Sequence, residues 1–290
     1  MPVILSVITL AAKAQQTSKA LIDSISQIAA EAKGHVGVEV MDIEANDGVS
    51  FHGHDHFPML SVYKFPLALY VLDQVDKGKL SLEQPIDIRK KEWQRMHSPL
   101  LDKYQQEHFT LPLREVMAAT VSSSDNVGCD LLLRLVGGPA IVNNYVHNLG
   151  VADINIVFTE MQMAGDWNNQ YHNWCEPPAM GILLKRFYTG KLLQPASTKL
   201  LLKWMTESTS PKRIQGLLPA GTVVAHKTGT SNTNAAGITA ATNDVGIITL
   251  PNGHHLAIVV FVADAKTDQA TREGTISKIA LAAYNYYSKK

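Results

Sequence analysis

Ser61-Val62-Tyr63-Lys64 opens an apolar stretch and puts a hydroxyl and an amine three residues apart. On a helix that spacing sets both groups on one face, one turn apart. A serine hydroxyl is a poor nucleophile at neutral pH, but a neighbouring lysine can take its proton if burial or another cation lowers the amine's pKa. The pair therefore reads as a nucleophile with its base. Taken alone it reads equally well as a polar helix start with an exposed lysine, so the partners decide. Ser124-Asp125-Asn126 stands at a helix start, Glu160 in a long polar loop, and Lys227-Thr228-Gly229-Thr230 on an apolar strand. Each has an ordinary reading too: a helix cap, a solvated carboxylate, and a strand end turning at glycine.

The elements that must position these groups follow from periodicity. Residues 17–33 carry apolar side chains at helical spacing and stop at Gly34. Val36–Ile43 and Val49–His52 read as a strand hairpin. The Ser61 helix runs to about Lys77 and ends at Gly78. Helices are expected from Leu111-Pro112 through Ala119, over Asp125–Val136 and over Pro139–Asn148. The stretch 153–178 is irregular, and loops of that length tend to be functional. Helices resume over Ala179–Tyr188 and Pro195–Glu207. Thr222–Thr230, Ala240–Leu250 and Leu256–Ala263 are strand-like, with a turn at Pro251-Asn252-Gly253, and Thr267–Lys289 returns to helical spacing. Strands and a helix at both ends with helices between imply an α/β unit built from the two termini around an inserted all-α unit.

Composition bounds the partners. The chain has 290 residues, 46% hydrophobic and 18% charged, with formal net charge +0, as in an ordinary globular protein. Without a basic run it offers no footprint for nucleic acid or an anionic membrane. Val3–Ala12 is an apolar run followed by the small-x-small site Ala12-Lys13-Ala14, which reads as a signal peptide with a truncated or atypical start over residues 1–14 and implies export; the other reading is a frayed apolar N-terminus. Cys129 and Cys175 lack metal-type spacing, and Cys129 lies in an apolar helix, as a buried thiol does.

In order and spacing, Ser-x-x-Lys, Ser-Asp-Asn 63 residues on, a loop glutamate 36 further and Lys-Thr-Gly 103 after Ser124 resemble the class A serine β-lactamases. Gly216–Thr222 before the last motif and Ala241–Asp244 after it resemble most closely the PER/VEB-type extended-spectrum branch. The resemblance implies the β-lactamase/DD-peptidase-like fold: an antiparallel sheet flanked by terminal helices with an inserted helical domain. Residues 15–55 and 208–290 would form the discontinuous α/β domain and 56–207 the all-α domain, with the active site between them.

The resemblance also implies roles. Ser61 is the nucleophile and Lys64 its base or proton relay. Glu160 activates the deacylating water and is the other candidate for the acylation base. Ser124 protonates the leaving nitrogen. Asn126 holds the substrate's side-chain amide, and Lys227, Thr228, Gly229 and Thr230 form the wall that binds its carboxylate. Backbone N–H groups of Ser61 and Thr230 form the oxyanion hole. Arg213 is either a support for the carboxylate site or a surface cation after Pro211-Lys212. Ser231 stands where many narrow-spectrum members have glycine, and either widens the cleft or is a tolerated small residue. Ala164 and Asp130 replace asparagines that hold the water and pin the loop in many members, so an altered loop is expected, with Asp130 supporting it and Gln162 or a backbone carbonyl holding the water. The family's usual disulfide positions fall on Ala68 and Met117. No cofactor or metal is implied. The partners are β-lactam substrates and mechanism-based β-lactamase inhibitors, not nucleic acid or membrane, and the protein is expected as a periplasmic monomer that hydrolyses penicillins, cephalosporins and oxyimino-cephalosporins.

Three alternatives share parts of this pattern. A DD-peptidase or a penicillin-sensor domain has the serine motifs but no deacylating glutamate. A zinc-dependent hydrolase is suggested by His52-Gly53-His54-Asp55-His56, one residue short of the zinc β-lactamase pattern His-x-His-x-Asp-His. On a strand, histidines at i, i+2 and i+4 point the same way. Downstream ligands are not evident, since His147 and His172 stand alone and His254-His255 sits beside a turn glycine.

Overall fold

The computed structural model describes residues 18–93 and 96–290; the expected signal peptide lies outside them. The first helix, α1, covers residues 18–30. It leads into strands β1 (His35–Asp42), β2 (Asp47–Phe51) and the short β3 (Phe57–Pro58), and then helix α2 (Lys64–Asp76). The middle of the chain contains β4 (Pro85–Arg89), α3 (Pro99–Lys103), β5 (His108–Pro112), α4 (Leu113–Ser122), α5 (Asn126–Val136), α6 (Pro139–Asn148), β6 (Ile154–Asn155), α7 (Glu160–Gly165), β7 (Trp174–Cys175), α8 (Pro177–Tyr188) and α9 (Pro195–Thr206). Strands β8 (Val224–Thr230), β9 (Thr239–Thr249) and β10 (His255–Ala265) and helix α10 (Gln269–Tyr287) close the chain.

The main sheet is antiparallel in the order β2-β1-β10-β9-β8, with β8 at one edge. Its central strands are apolar on both faces because both faces are covered. The side-chain period of two sends Leu256, Ile258, Val260 and Val262 of β10 into a cluster with Leu21, Ile25, Ile276, Ile279 and Ala283 of the terminal helices. Ala257, Val259, Phe261 and Ala263 face the other way, into the larger core shared with α2, α4, α5 and α8. The site therefore has a rigid wall at β8, backed by β9, and a rigid floor at α2, which is buried along most of its length.

Two contacts join wall to floor. Asn243 of β9 donates from Nδ2 to Pro58 O at 2.7 Å, and Val262 N donates to Asn243 Oδ1 at 3.2 Å. Gly229 of β8 lies so close to the segment before Ser61 that a Cβ there would fall 2.3 Å from Met59 O. Only glycine permits that approach.

Several local expectations are corrected. Ser61 does not sit on the α-helix: Leu60–Tyr63 forms a 3-10 turn and α2 begins at Lys64. Leu111 and Pro112 end strand β5, paired with β4, and the helix starts one residue later. The polar stretch 153–178 contains α7, closed by a capping box in which Thr159 and Gln162 exchange hydrogen bonds. Other expectations hold: Cys129 is a buried thiol, free like Cys175, and Ala68 and Met117 are buried core residues.

One buried acid lies on the sheet's inner face. Glu39 of β1 packs on Gly181 of α8, and its Oε2 has no hydrogen-bond partner. Burial pushes its carboxyl from 4.5 up to about 7, against a smaller opposing effect of the hydrogen bond with Ser50. The folded chain thus holds a proton that the unfolded chain releases earlier. Stability is greatest below about pH 4.5 on this account and is lost as pH rises through about 7. Glu39→Gln is expected to flatten the melting temperature between pH 4.5 and 7.5 and to raise it at the upper end; an unchanged pH profile by calorimetry would rule this carboxyl out as the source.

Candidate active site

Ser61 and Lys64 meet as the spacing requires, although across a 3-10 to α junction. Lys64 Nζ donates to Ser61 Oγ at 2.9 Å. The amine is wholly buried and has three more oxygens around it: Ser124 O at 2.8 Å, Asn126 Oδ1 at 2.6 Å and Glu160 Oε1 at 3.1 Å. Ser61 Oγ in turn lies 3.5 Å from the same Glu160 oxygen. The serine hydroxyl is thus within reach of two groups that can accept its proton.

Each acceptor is delivered by a specific local structure. Leu60, before the serine, and Ser124 have φ of 46° and 57°. Side chains with Cβ rarely adopt this left-handed region, and such strain gathers at functional sites. At Ser124 it turns the carbonyl toward Lys64 while the hydroxyl faces Lys227. Asp125 then caps α5: it is buried and accepts from Gly128 N at 2.7 Å, Leu100 N at 2.7 Å and Ser98 Oγ at 2.8 Å. The Ser-Asp-Asn motif is therefore a cap, as its ordinary reading holds, and also a tie to the opposite rim. The role of Asp125 and Ser98 was not legible, because Ser98 is distant in sequence and carries no pattern.

Glu160 is the first residue of α7, not a free loop residue. Asp130 of α5 fixes it by accepting from the N–H groups of Glu160 at 2.8 Å and Met161 at 3.0 Å. Burial raises the Asp130 carboxyl to about 6, those two bonds only partly opposing it. Gln162 supports the segment differently from expectation. Its Oε1 accepts from Thr159 N at 2.9 Å in the capping box, so that oxygen is occupied at the helix start instead of holding a water over Glu160. Ala164 lines the cleft.

On the facing wall, Lys227 is also wholly buried, donating to Ser124 Oγ at 2.8 Å and Thr228 O at 2.9 Å. Burial, reinforced by the charge of Lys64, holds its pKa well below the ordinary lysine value. Thr228, Thr230 and Ser231 line the cleft beside it. Ser231 Oγ accepts from Ala241 N at 2.9 Å, so this side chain is bound to β9.

Arg213 is not a surface cation: it is 1% exposed behind β8. It donates to Gly229 O at 3.0 Å, Asn243 O at 2.8 Å and Thr230 Oγ1 at 2.9 Å, and pairs with Glu273 at 3.1 Å. Behind the same strand, His226 and Asp244 form a buried pair at 2.9 Å, and Asp244 also accepts from Ile214 N at 3.0 Å. Neither Glu273 nor this pair carries a sequence signal beyond its own strand or helix.

Between wall and floor is a cleft of about 750 Å³. Ser61, Ser124, Asn126, Glu160, Thr228 and Thr230 line it, and Met96, His97, Trp167, Thr209 and Asn232 extend it outward. The three histidines of residues 52–56 stand outside it and do not converge. His52 follows β2 in a left-handed turn, whereas His54 and His56 both approach Glu176, at 3.4 Å and 3.7 Å. The strand geometry that would have aligned them is absent.

Asp130→Ala should release α7 from α5. Amide hydrogen exchange over residues 158–165 is expected to rise at least about tenfold while exchange over α2 stays unchanged, with Asp130→Asn intermediate because it keeps one carbonyl acceptor. Equal protection in Asp130→Ala and the parent would contradict the tie.

The family model described as the beta-lactamase enzyme family matches residues 2–287. The chain is 43% identical to the extended-spectrum beta-lactamase PER-1 of Pseudomonas aeruginosa, covering 94% of this chain and 89% of that one, and 43% identical to the beta-lactamase VEB-1 of the same organism, covering 92% and 90%. Among solved structures, a beta-lactamase from Chitinophaga pinensis superposes with a TM-score of 0.90 at 53% identity, covering 92% of this chain and 98% of that one.

Proposed function

This chain belongs to the β-lactamase enzyme family, and from that premise we propose that Ser61, Lys64, Ser124 and Glu160 carry its hydrolysis of β-lactams through a serine acyl-enzyme. The observation that carries the reading is the single hydrogen-bonded cluster formed by Ser61 Oγ, Lys64 Nζ and Glu160 Oε1.

In this mechanism Ser61 Oγ attacks the lactam carbonyl and gives its proton to the Lys64–Glu160 pair. The backbone N–H groups of Ser61 and Thr230 stabilise the oxyanion that develops. The lactam C–N bond breaks as Ser124 Oγ delivers a proton to the nitrogen, and Ser124 is resupplied from Lys227, which bonds to its hydroxyl, while the proton taken from Ser61 replaces the one Lys227 gave up and leaves Glu160 ionised. A depressed Lys227 pKa suits that relay, since the amine gives up a proton more readily. Glu160 then takes a proton from water, which attacks the ester, and that proton returns to Ser61 Oγ as the ester bond breaks.

Binding follows the same groups. Asn126 Oδ1 accepts from Lys64, which leaves its Nδ2 to donate to the substrate's side-chain amide. Lys227, Thr228 and Thr230 receive the substrate carboxylate along the Gly229 backbone, and Arg213 acts through the Thr230 hydroxyl that it contacts. The presence of Glu160 beside Ser61 favours a hydrolase over a DD-peptidase or a sensor, which stop at slower or stable acyl-enzymes. The broad cleft, the small side chain of Ala164 and the likeness to an enzyme named for its extended spectrum support penicillins, cephalosporins and oxyimino-cephalosporins as substrates, and mechanism-based inhibitors as ligands.

The finer reading divides the chain into a discontinuous α/β domain (15–55 and 208–290) around an all-α domain (56–207). The apolar leader supports export to the periplasm. Among the described residues no helix is long and apolar enough to cross a membrane, and the large hydrophobics exposed are few, Ile141, Val157, Met161, Leu217 and Val223, which fits a monomer.

Two measurements test this. Ser61→Ala should lower turnover of a chromogenic cephalosporin at least about 10³-fold and leave the melting temperature within a few degrees of the parent; retained turnover that a chelator abolishes would replace the serine with a metal centre. Glu160→Gln should accumulate an adduct of the substrate's mass on Ser61 in intact-protein mass spectrometry. Turnover at the parent rate with no adduct would remove Glu160 from deacylation.

A further inference from the structure

The histidine-rich turn has a use that the cleft does not account for. Asp55 belongs with His35 and His52, rather than with His54 and His56. His35, the first residue of β1, places Nε2 at 2.9 Å from Asp55 Oδ2, and one ligand atom from each of His35, His52 and Asp55 lies within 4.8 Å of the other two. None of the three lines the catalytic cleft.

The two imidazoles are stacked side by side before any ligand arrives, a small rotation away from sharing one ion. His52 lies against Phe51 with ring centroids 4.0 Å apart, His35 against His52 at 4.9 Å, and Phe57 against His35 at 4.8 Å. Phe57 is fully buried and stacks on Phe261 of β10. This four-ring stack is anchored in the core at one end. The second nitrogen of His52 is committed: Nδ1 is 2.9 Å from Val36 O, and only a protonated Nδ1 can donate to a carbonyl. In the neutral ring its Nε2 then keeps a free lone pair, the arrangement seen in metal-binding histidines whose other nitrogen is tied to a carbonyl. The side chains of His35 and Asp55 are 43% and 48% exposed, so an ion has a path in and water can complete its shell. Two imidazoles and one carboxylate suit zinc with a solvent fourth ligand.

The neighbouring groups do not compete for this role. His56 is stacked on Trp174 at 3.4 Å and shares Glu176 with His54. Asp42, Glu44 and His254 also cluster, but Asp42 accepts from Ala45 N and pairs with His254, and both Glu44 oxygens bond to His255, whereas zinc at the other cluster replaces only the single His35–Asp55 bond.

We propose that His35, His52 and Asp55 form a surface zinc site that fastens the start of β1 to the turn leading into β3. The site is structural: bound zinc adds a cross-link that the unfolded chain lacks and so raises stability, and small rotations of the exposed rings bring the three atoms onto one ion. The proposal is independent of the serine chemistry.

The test uses the full chain, treated with chelator and titrated with zinc chloride at pH 7.5 by calorimetry, alongside thermal unfolding. One zinc per chain is expected at this site, with a rise in melting temperature. His35→Gln and Asp55→Asn should each weaken that site at least about tenfold and abolish the melting shift, whereas His54→Gln and His56→Gln should leave both intact. His52→Asn, which tolerates the left-handed turn, should behave as His35→Gln does. Cephalosporin turnover should be equal with zinc and with chelator in every one of these variants, which establishes that they are folded. The proposal is overturned if the parent shows no zinc heat and no melting shift at tenfold molar excess, if His35→Gln and Asp55→Asn bind zinc as tightly as the parent, or if His54→Gln and His56→Gln alone lose it.

Discussion

Two lysine amines are held entirely out of water, one on each side of the cleft, and the site is built around satisfying them. A buried amine without partners is among the most expensive groups a fold can contain. Lys64 therefore requires oxygens from every direction, and the fold brings them from the 3-10 turn before α2, from the turn at Ser124, from the start of α5 and from α7. Lys227 requires the Ser124 hydroxyl. Ser124 joins the two, its carbonyl on Lys64 and its hydroxyl on Lys227, and the left-handed backbone there is what lets one residue face both. The elements that look peripheral exist to deliver these acceptors: Asp125 fixes the turn, Asp130 fixes Glu160, and Arg213 and Asn243 fix the wall.

The same arrangement makes the chemistry possible. A lysine beside a serine is unremarkable on a solvated helix. In the proposed mechanism, enclosed with a carboxylate, it becomes one end of a short proton path from Ser61 to Glu160, and the second lysine, whose pKa burial and the charge of Lys64 hold well below the ordinary value, supplies the other end at Ser124. Stability and function draw on the same contacts here. Substitution at Asp125 or Asp130 would disturb both, because each satisfies backbone groups and aims a reacting group at once.

Much of this was legible in the sequence where chemistry and local structure coincide. Ser61, Lys64, Ser124, Asn126 and Lys227 were read at helix starts or on an apolar strand and Glu160 as a loop carboxylate, and their order identifies the family. The main strands and most helices follow from periods of two and 3.6. What was not legible depends on contacts across the chain. The 3-10 turn at Ser61 and the left-handed Ser124 are imposed by the wall packed against them. Arg213 could not be assigned between surface and interior, because its partners Gly229, Asn243, Thr230 and Glu273 lie on three other segments. Strands β3, β6 and β7 have two residues each, too few for any period. The histidines looked collinear because a strand was assumed, and the turn at His52 regrouped them with His35, whose place at the head of β1 carries no pattern of its own.

The central claim is that the enclosed Lys64 amine, rather than its charge at a distance, prepares Ser61 for attack. Stopped-flow measurement of the acylation burst in Lys64→Ala addresses it most directly. The account predicts an acylation rate lowered at least about 10²-fold, with an intact fold by circular dichroism. A burst at the parent's rate in that variant would contradict it.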